Sequence, residues 1–157
     1  MKKVIFTGLV ALFLLLALPG AVSAAESDTI TVTGSIGGTI DVSVTADVGF
    51  GAMTPGNTYT DETTVLTVTS TFAGWTVDAA DQNTGAGTGY MLSSGTPLSN
   101  PFEINVDAGA YQGLPFSPIF SGSAGTDTAD IGVQQQVVVG DQAGSYTITI
   151  VFTGASV

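Results

Sequence analysis

"TTVLTVTSTFAGWTVDA", residues 63–79, decides the fold. Leu66, Val68 and Phe72 share one face of its first half, with Thr on the other. A short turn through Ala73-Gly74 leads into Trp75, Val77 and Ala79, again in steps of two. Alternation of this period marks half-buried β-strands, and Thr suits the wet side because a β-branched polar residue fits the pleat. Trp75 is the only tryptophan in the chain. As a core plug it would remove about 150–250 Å² from water, or roughly 4–6 kcal/mol before entropy. The other reading makes it an exposed platform on which a sugar stacks. The plug is the preferred reading, because Phe72 and Val77 suit a strand passing into a core.

The same period recurs on both sides. "TITVTGSI" (29–36) alternates, Gly37-Gly38 interrupt, and "TIDVSVTAD" (39–47) resumes with Ile40, Val42 and Val44 on one face. "VGFGAMTPGNTYTD" (48–61) contains Phe50 and turns at Pro55-Gly56-Asn57. Residues 78–89 read as a loop, and "GYMLSS" as a short strand. "NPFEINVDAG" (100–109) sets Phe102, Ile104 and Val106 in step. Residues 111–130, broken by Pro115, Pro118 and several glycines, read as a long connection packing aromatics as it crosses. "IGVQQQVVV" (131–139) puts Ile131, Val133, Val137 and Val139 on one side, with Gln135 the exception. "GDQAG" then turns the chain into "SYTITIVFTG" (145–154), so a hairpin is expected there. Helix signals are nearly absent. The pattern predicts an all-β, antiparallel β-sandwich of the Ig-like, Greek-key kind with seven to nine strands; a closed barrel is the lesser alternative.

The N-terminus reads as an address. Lys2 and Lys3 precede an apolar run from Val4 to Leu18, then Pro19-Gly20 and Val22-Ser23-Ala24. Basic start, apolar stretch and small residues make a secretory signal peptide, residues 1–24, cleaved after Ala24 with Ala25 as the close alternative. An uncleaved anchor helix is the competing reading. The run is shorter than the roughly 20 residues that span a bilayer comfortably. Residues 25–157 would then be a single domain, secreted to the extracellular space or the cell surface.

Cleavage would remove both basic side chains and leave all 13 carboxylates. Such a surface has nothing to hold nucleic acid or anionic lipid. With no His or Cys, and no Lys or Arg after residue 3, it also lacks an imidazole base, a thiolate, a Schiff-base amine and a cation to steady an oxyanion. A carboxylate-pair glycosidase needs only two acids at a fixed separation, but no acid here has an obvious catalytic setting. The expectation is a chain that is not an enzyme. Asp78, Asp81 and Asn83 are the candidate calcium ligands, since oxygen ligands on a flexible loop suit Ca²⁺. Asp127 and Asp130 repeat part of that spacing. Asp and Asn are also ordinary turn formers, and otherwise no cofactor is expected. Tyr146, following Gly144 at the start of the last strand, is placed to bond back to the backbone as a corner tyrosine does.

Three stretches carry a resemblance. "VGFGAMTPGNT" (48–58), with Phe50, resembles a segment that opens many secreted surface sandwiches. "AGWTVDA" (73–79) is similar to the first motif of WxL-type cell-surface domains, with Val77 where Leu is usual. "AGSYTITIVFTGA" (143–155) resembles their closing strand, with "IVF" where a second Trp would stand. Fimbrial and pilus subunits share the opening and closing segments. The resemblance implies a secreted, non-enzymatic structural or adhesion module, whose partners are cell-surface components or copies of itself. For the pilus-like alternative it implies a homopolymer built by strand donation. Residues 27–36 would be the donor, through Ile30, Val32 and Ile36. A sugar- or calcium-binding module using the 78–89 loop is the further alternative.

Overall fold

The computed structural model describes residues 37–157. The expected signal peptide and the candidate donor residues Ile30, Val32 and Ile36 lie outside the described residues. The described chain is all-β, with ten strands and no helix. Seven of the ten run five residues or more: β1 (Ile40–Val44), β2 (Thr58–Ser70), β3 (Trp75–Asp81), β6 (Phe102–Val106), β8 (Phe116–Gly122), β9 (Gly125–Gln136) and β10 (Ile150–Ser156). Three are two-residue pieces, β4 (Leu92–Ser93), β5 (Thr96–Pro97) and β7 (Gln112–Gly113). A five-stranded sheet has the order β1-β2-β9-β6-β7, and a three-stranded sheet the order β10-β3-β8. Every strand pair is antiparallel. This is a β-sandwich, as the alternation predicts.

The core forms where the inward residues of the two sheets meet. Leu66 and Val68 from β2, Ile131 and Val133 from β9, and Phe102 and Ile104 from β6 supply the larger sheet; Trp75, Val77 and Ala79 supply the smaller. All are buried. A register shift lies between Asp61 and Thr64 of β2. Before it the inward-turned residues are Tyr59 and Asp61, after it Thr64, Leu66, Val68 and Ser70. One inserted residue exchanges the faces of a strand, so a bulge lets both halves of β2 turn the right side inward. Asp61 fastens the bulge by accepting from Thr63 N (2.9 Å) and Thr63 Oγ1 (2.7 Å). Those two donors hold its carboxyl below the usual range. On the wet face, Thr69 and Thr126 stand opposite each other with their hydroxyls 3.0 Å apart.

Five expectations need correction. The hairpin of 131–139 with 145–154 does not form: β9 lies in the larger sheet and β10 pairs with β3 in the smaller. Alternation tells which residues face inward, not which strand is the neighbour. Val139 follows β9 after its end and is 87% exposed. Residues 111–130 are not a connection, for they contain β7, β8 and the start of β9. Pro118 is tolerated there because β8 is an edge strand and its register shifts beside the proline. The loop expected from residue 78 begins only after Asp81, because β3 continues through Ala79 and Ala80. Phe72, expected to extend the face of Leu66 and Val68, falls just beyond β2.

Candidate functional site

Trp75 begins β3 with no exposed surface. Its Nε1–H donates to Ser123 O at 2.8 Å, so the one polar atom of the indole is satisfied inside. Phe120 of β8 meets the ring edge-on, with centroids 5.3 Å apart and planes at 65°. The opposing residue on β8 is Gly122, and a Cβ there would overlap the indole. A side chain enclosed in this way offers no face to a sugar. Trp75 is a core residue in this structure.

Phe50 and Tyr146 flank the other end of the interior. Phe50 is half-buried, with its ring centroid 6.2 Å from Tyr59 and 6.4 Å from Phe102. Tyr59 Oη accepts from Thr54 N at 2.6 Å, and that donor lowers the phenol's pKa. Tyr146 Oη donates to Gln142 O at 2.8 Å, four residues back along the chain. Between residues 46–53 and residues 146–152 lies a cleft of about 400 Å³. Phe50, Met53, Phe102, Ile131, Ile148 and Phe152 are among its apolar lining, and Asp47 is its one ionisable carboxylate.

The three candidate calcium ligands are not brought together. Asp78 points outward from β3 and is exposed, whereas Asp81 points inward and is buried. A spacing of three on a strand places two residues on opposite faces. Asp78 accepts from Ser117 Oγ at 2.5 Å, across to β8. Asp81 instead holds the loop that follows it, accepting from Asn83 N (3.0 Å) and Gly89 N (2.9 Å). Asn83 continues the work, with Oδ1 accepting from Gly85 N and Nδ2 donating to Ala86 O. Asp127 and Asp130 are likewise three apart along β9, so they too face opposite ways. Among the described residues no group of three or more acidic side chains is arranged to hold a metal ion.

Several residues with defined roles escaped the sequence reading. Asp141, in the crossover from β9 to β10, accepts from Ser99 Oγ (2.6 Å), Ser99 N (2.9 Å) and Val138 N (2.9 Å). Desolvation opposes its ionisation, but the Ser99 hydroxyl and the two backbone donors outweigh it and hold the carboxyl below its ordinary value. Asn105, 2% exposed on the outer face of the larger sheet, accepts from Gly132 N at 2.9 Å and fills the space over that glycine. Gln135, fully buried, donates from Nε2 to Asn100 O and Gln136 O. Only the break in alternation at Gln135 gave any signal in the sequence.

Comparison with known proteins gives no match, whether to a family model, to a characterised protein or to a solved structure. Among the described residues no helix is long and apolar enough to cross a membrane.

Proposed function

We propose that the chain is a secreted, non-enzymatic structural module of the cell surface or extracellular space. One observation carries the reading: several of the carboxylates and amides that could do chemistry are engaged in fastening the backbone of turns and crossovers. Asp61, Asp81, Asn83 and Asp141 each accept backbone N–H groups at turns, bulges or crossovers. Trp75 is enclosed, and the apolar cleft presents a single carboxylate. The signal-peptide pattern of residues 1–24 and the acidic composition support the address. Its partners on this reading are cell-surface components or copies of itself. The test is to express the full gene with a C-terminal epitope and fractionate the cells. Mass spectrometry should find a mature N-terminus at Ala25 or Glu26 in the surface or medium fraction. An intact N-terminus on a cytosolic product would refute the proposal.

A second reading is a pilus-like subunit that donates residues 27–36 to a neighbour. The two adjoining sheet edges β1 and β10 favour it, since among the described residues neither has a strand on its outer side. Negative-stain microscopy should then show filaments that vanish in an Ile30→Asp/Val32→Asp double variant.

A further inference from the structure

Among the described residues, the outer edge of β10 differs from the other edges of the two main sheets. Residues 150–156, "IVFTGAS", carry no charge, no proline and no bulge against β3. Natural edge strands are normally blunted by one of those devices, because a row of free N–H and C=O groups invites another strand. Here the other edges are blunted. β7 is two residues long, β8 contains Pro118, and β1 carries Asp41 exposed on its surface. In a chain of net charge −11, β10 is the edge at which another acidic chain can pair without setting carboxylates against each other.

We infer that β10 pairs antiparallel with β10 of a second copy, about a two-fold axis at Thr153, and so joins two three-stranded sheets into one. The inference rests on the structural-module reading and names the partner of its open edge. Backbone geometry fixes which groups are available. Val157 N donates to Gly74 O, and Gln82 N donates to Thr149 O, so the odd-numbered residues of this stretch turn their backbone groups toward β3. In an antiparallel ladder alternate residues bond to opposite sides, so residues 150, 152, 154 and 156 turn theirs to the edge that no described strand covers. Centred on Thr153, the register sets Phe152 against Gly154 and Ile150 against Ser156 of the other copy. Every residue of the strand then has a counterpart and every edge-facing group a partner. Inward residues meet inward residues, and the interface is the same patch on both copies, as a closed two-fold dimer requires. The bulky Phe152 ring lies beside a residue without a side chain. Thr153 itself is exposed, and on the axis it faces its own copy in a non-hydrogen-bonded pair.

The chain has no cysteine, which makes the register directly testable. In a non-hydrogen-bonded antiparallel pair the Cα atoms stand about 4.5 Å apart, inside the range of about 4.4–6.8 Å that a disulfide bridges. Purified Thr153→Cys should therefore form a covalent dimer under mild oxidation. Val151→Cys should stay monomeric, because the two copies of residue 151 lie about 13 Å apart, four residues of offset at about 3.3 Å each. Equal cross-linking of the two variants, or none, overturns the inference. Thr153→Lys should lose the association seen by sedimentation, since two ammonium groups face each other, while Asp78 opposite residue 153 on β3 supports the folded monomer. Persistence of the dimer in that variant overturns it too. Two acidic copies repel, so raising NaCl should strengthen the dimer. The Ile30→Asp/Val32→Asp change introduced into Thr153→Cys separates this from strand donation. Cross-linking unchanged by the donor change supports pairing of β10 with itself, and cross-linking that appears only once the donor strand is disabled assigns the edge to the donated strand instead. Failure of secretion would leave these outcomes intact, because they are read on purified protein.

Discussion

The two flanks of the sandwich are closed by opposite means. On the β7/β8 flank, prolines, glycines and a two-residue strand leave little edge to pair with, and the backbone of β8 lies directly on the indole of Trp75. On the β1/β10 flank neither strand has a proline or a bulge, although β1 carries the exposed Asp41, and the backbone of β10 at Gly154 lies under Ile40 and Val42 of β1. Glycine permits close approach in both places, but the residues it approaches differ. One is a large, rigid ring held by its own hydrogen bond, the other a pair of aliphatic side chains on an edge strand. The first flank is therefore locked from within, whereas the second has, among the described residues, no strand on its outer side.

The largest way to break this contrast is Trp75→Ala. It removes the anchor of β8 and leaves a cavity, and should cost about 3–5 kcal/mol in chemical denaturation. Hydrogen exchange should show β8 losing protection before β10 does. In the unaltered protein acrylamide should quench Trp75 weakly, since the indole has no exposed surface. Strong quenching in the folded state would contradict an enclosed anchor.

A paired substitution sharpens the comparison at smaller cost. Gly122→Val forces a side chain into the indole, and overpacking of this kind costs about 1–3 kcal/mol, sometimes more. Gly154→Val meets Ile40 and Val42, which can swing because β1 has one described neighbour only. It should fall near the lower end of the same range. A larger loss at 154 than at 122 would reverse the assignment of the rigid flank.

How much of this was legible in the sequence follows from what alternation encodes. It encodes faces, so the inward residues of β2, β3, β6 and β9 were readable, Trp75 among them. It does not encode partners, and for that reason the last two runs looked like a hairpin although they belong to different sheets. The blunted flank was hidden by the very residues that blunt it, since Pro115, Pro118 and the nearby glycines erase the strand signal. The separation of the metal candidates Asp78 and Asp81 was hidden for a related reason. Ala80 is a weak strand former and a Gly-rich stretch follows, so the last strand positions up to Asp81 passed for loop, and the parity that separates Asp78 from Asp81 went unseen. Asp141 had no signal at all, because its partner Ser99 lies 42 residues away.

Asp141 supplies a test by pH, because it holds the approach to β10. Its folded-state pKa lies below the ordinary value of 3.8. A carboxyl depressed on folding contributes stability above its unfolded pKa, and that contribution is lost as pH falls through the folded value. Thermal unfolding followed from pH 6 down to about 2.5 should therefore fall less steeply in Asp141→Asn than in the unaltered protein. The difference should vanish near neutrality once each curve is referred to its own plateau. Parallel curves throughout would mean that the bonds from Ser99 and Val138 do not favour the ionised form.

The smallest expected effect concerns calcium. Asp78 and Asp81 face opposite sides of β3, and the Asp81 carboxylate already accepts two backbone N–H groups. A hard divalent cation needs several oxygens converging on one point, and these do not converge. What Ca²⁺ can still do is screen a chain of net charge −11. Millimolar CaCl2 should thus raise the melting temperature no further than NaCl of equal ionic strength, and Asp78→Asn should leave that equality intact. An excess effect of Ca²⁺ that disappears in Asp81→Asn would show that the 82–89 loop opens to bind the ion, and would move the reactive region from the β10 edge to the end of β3.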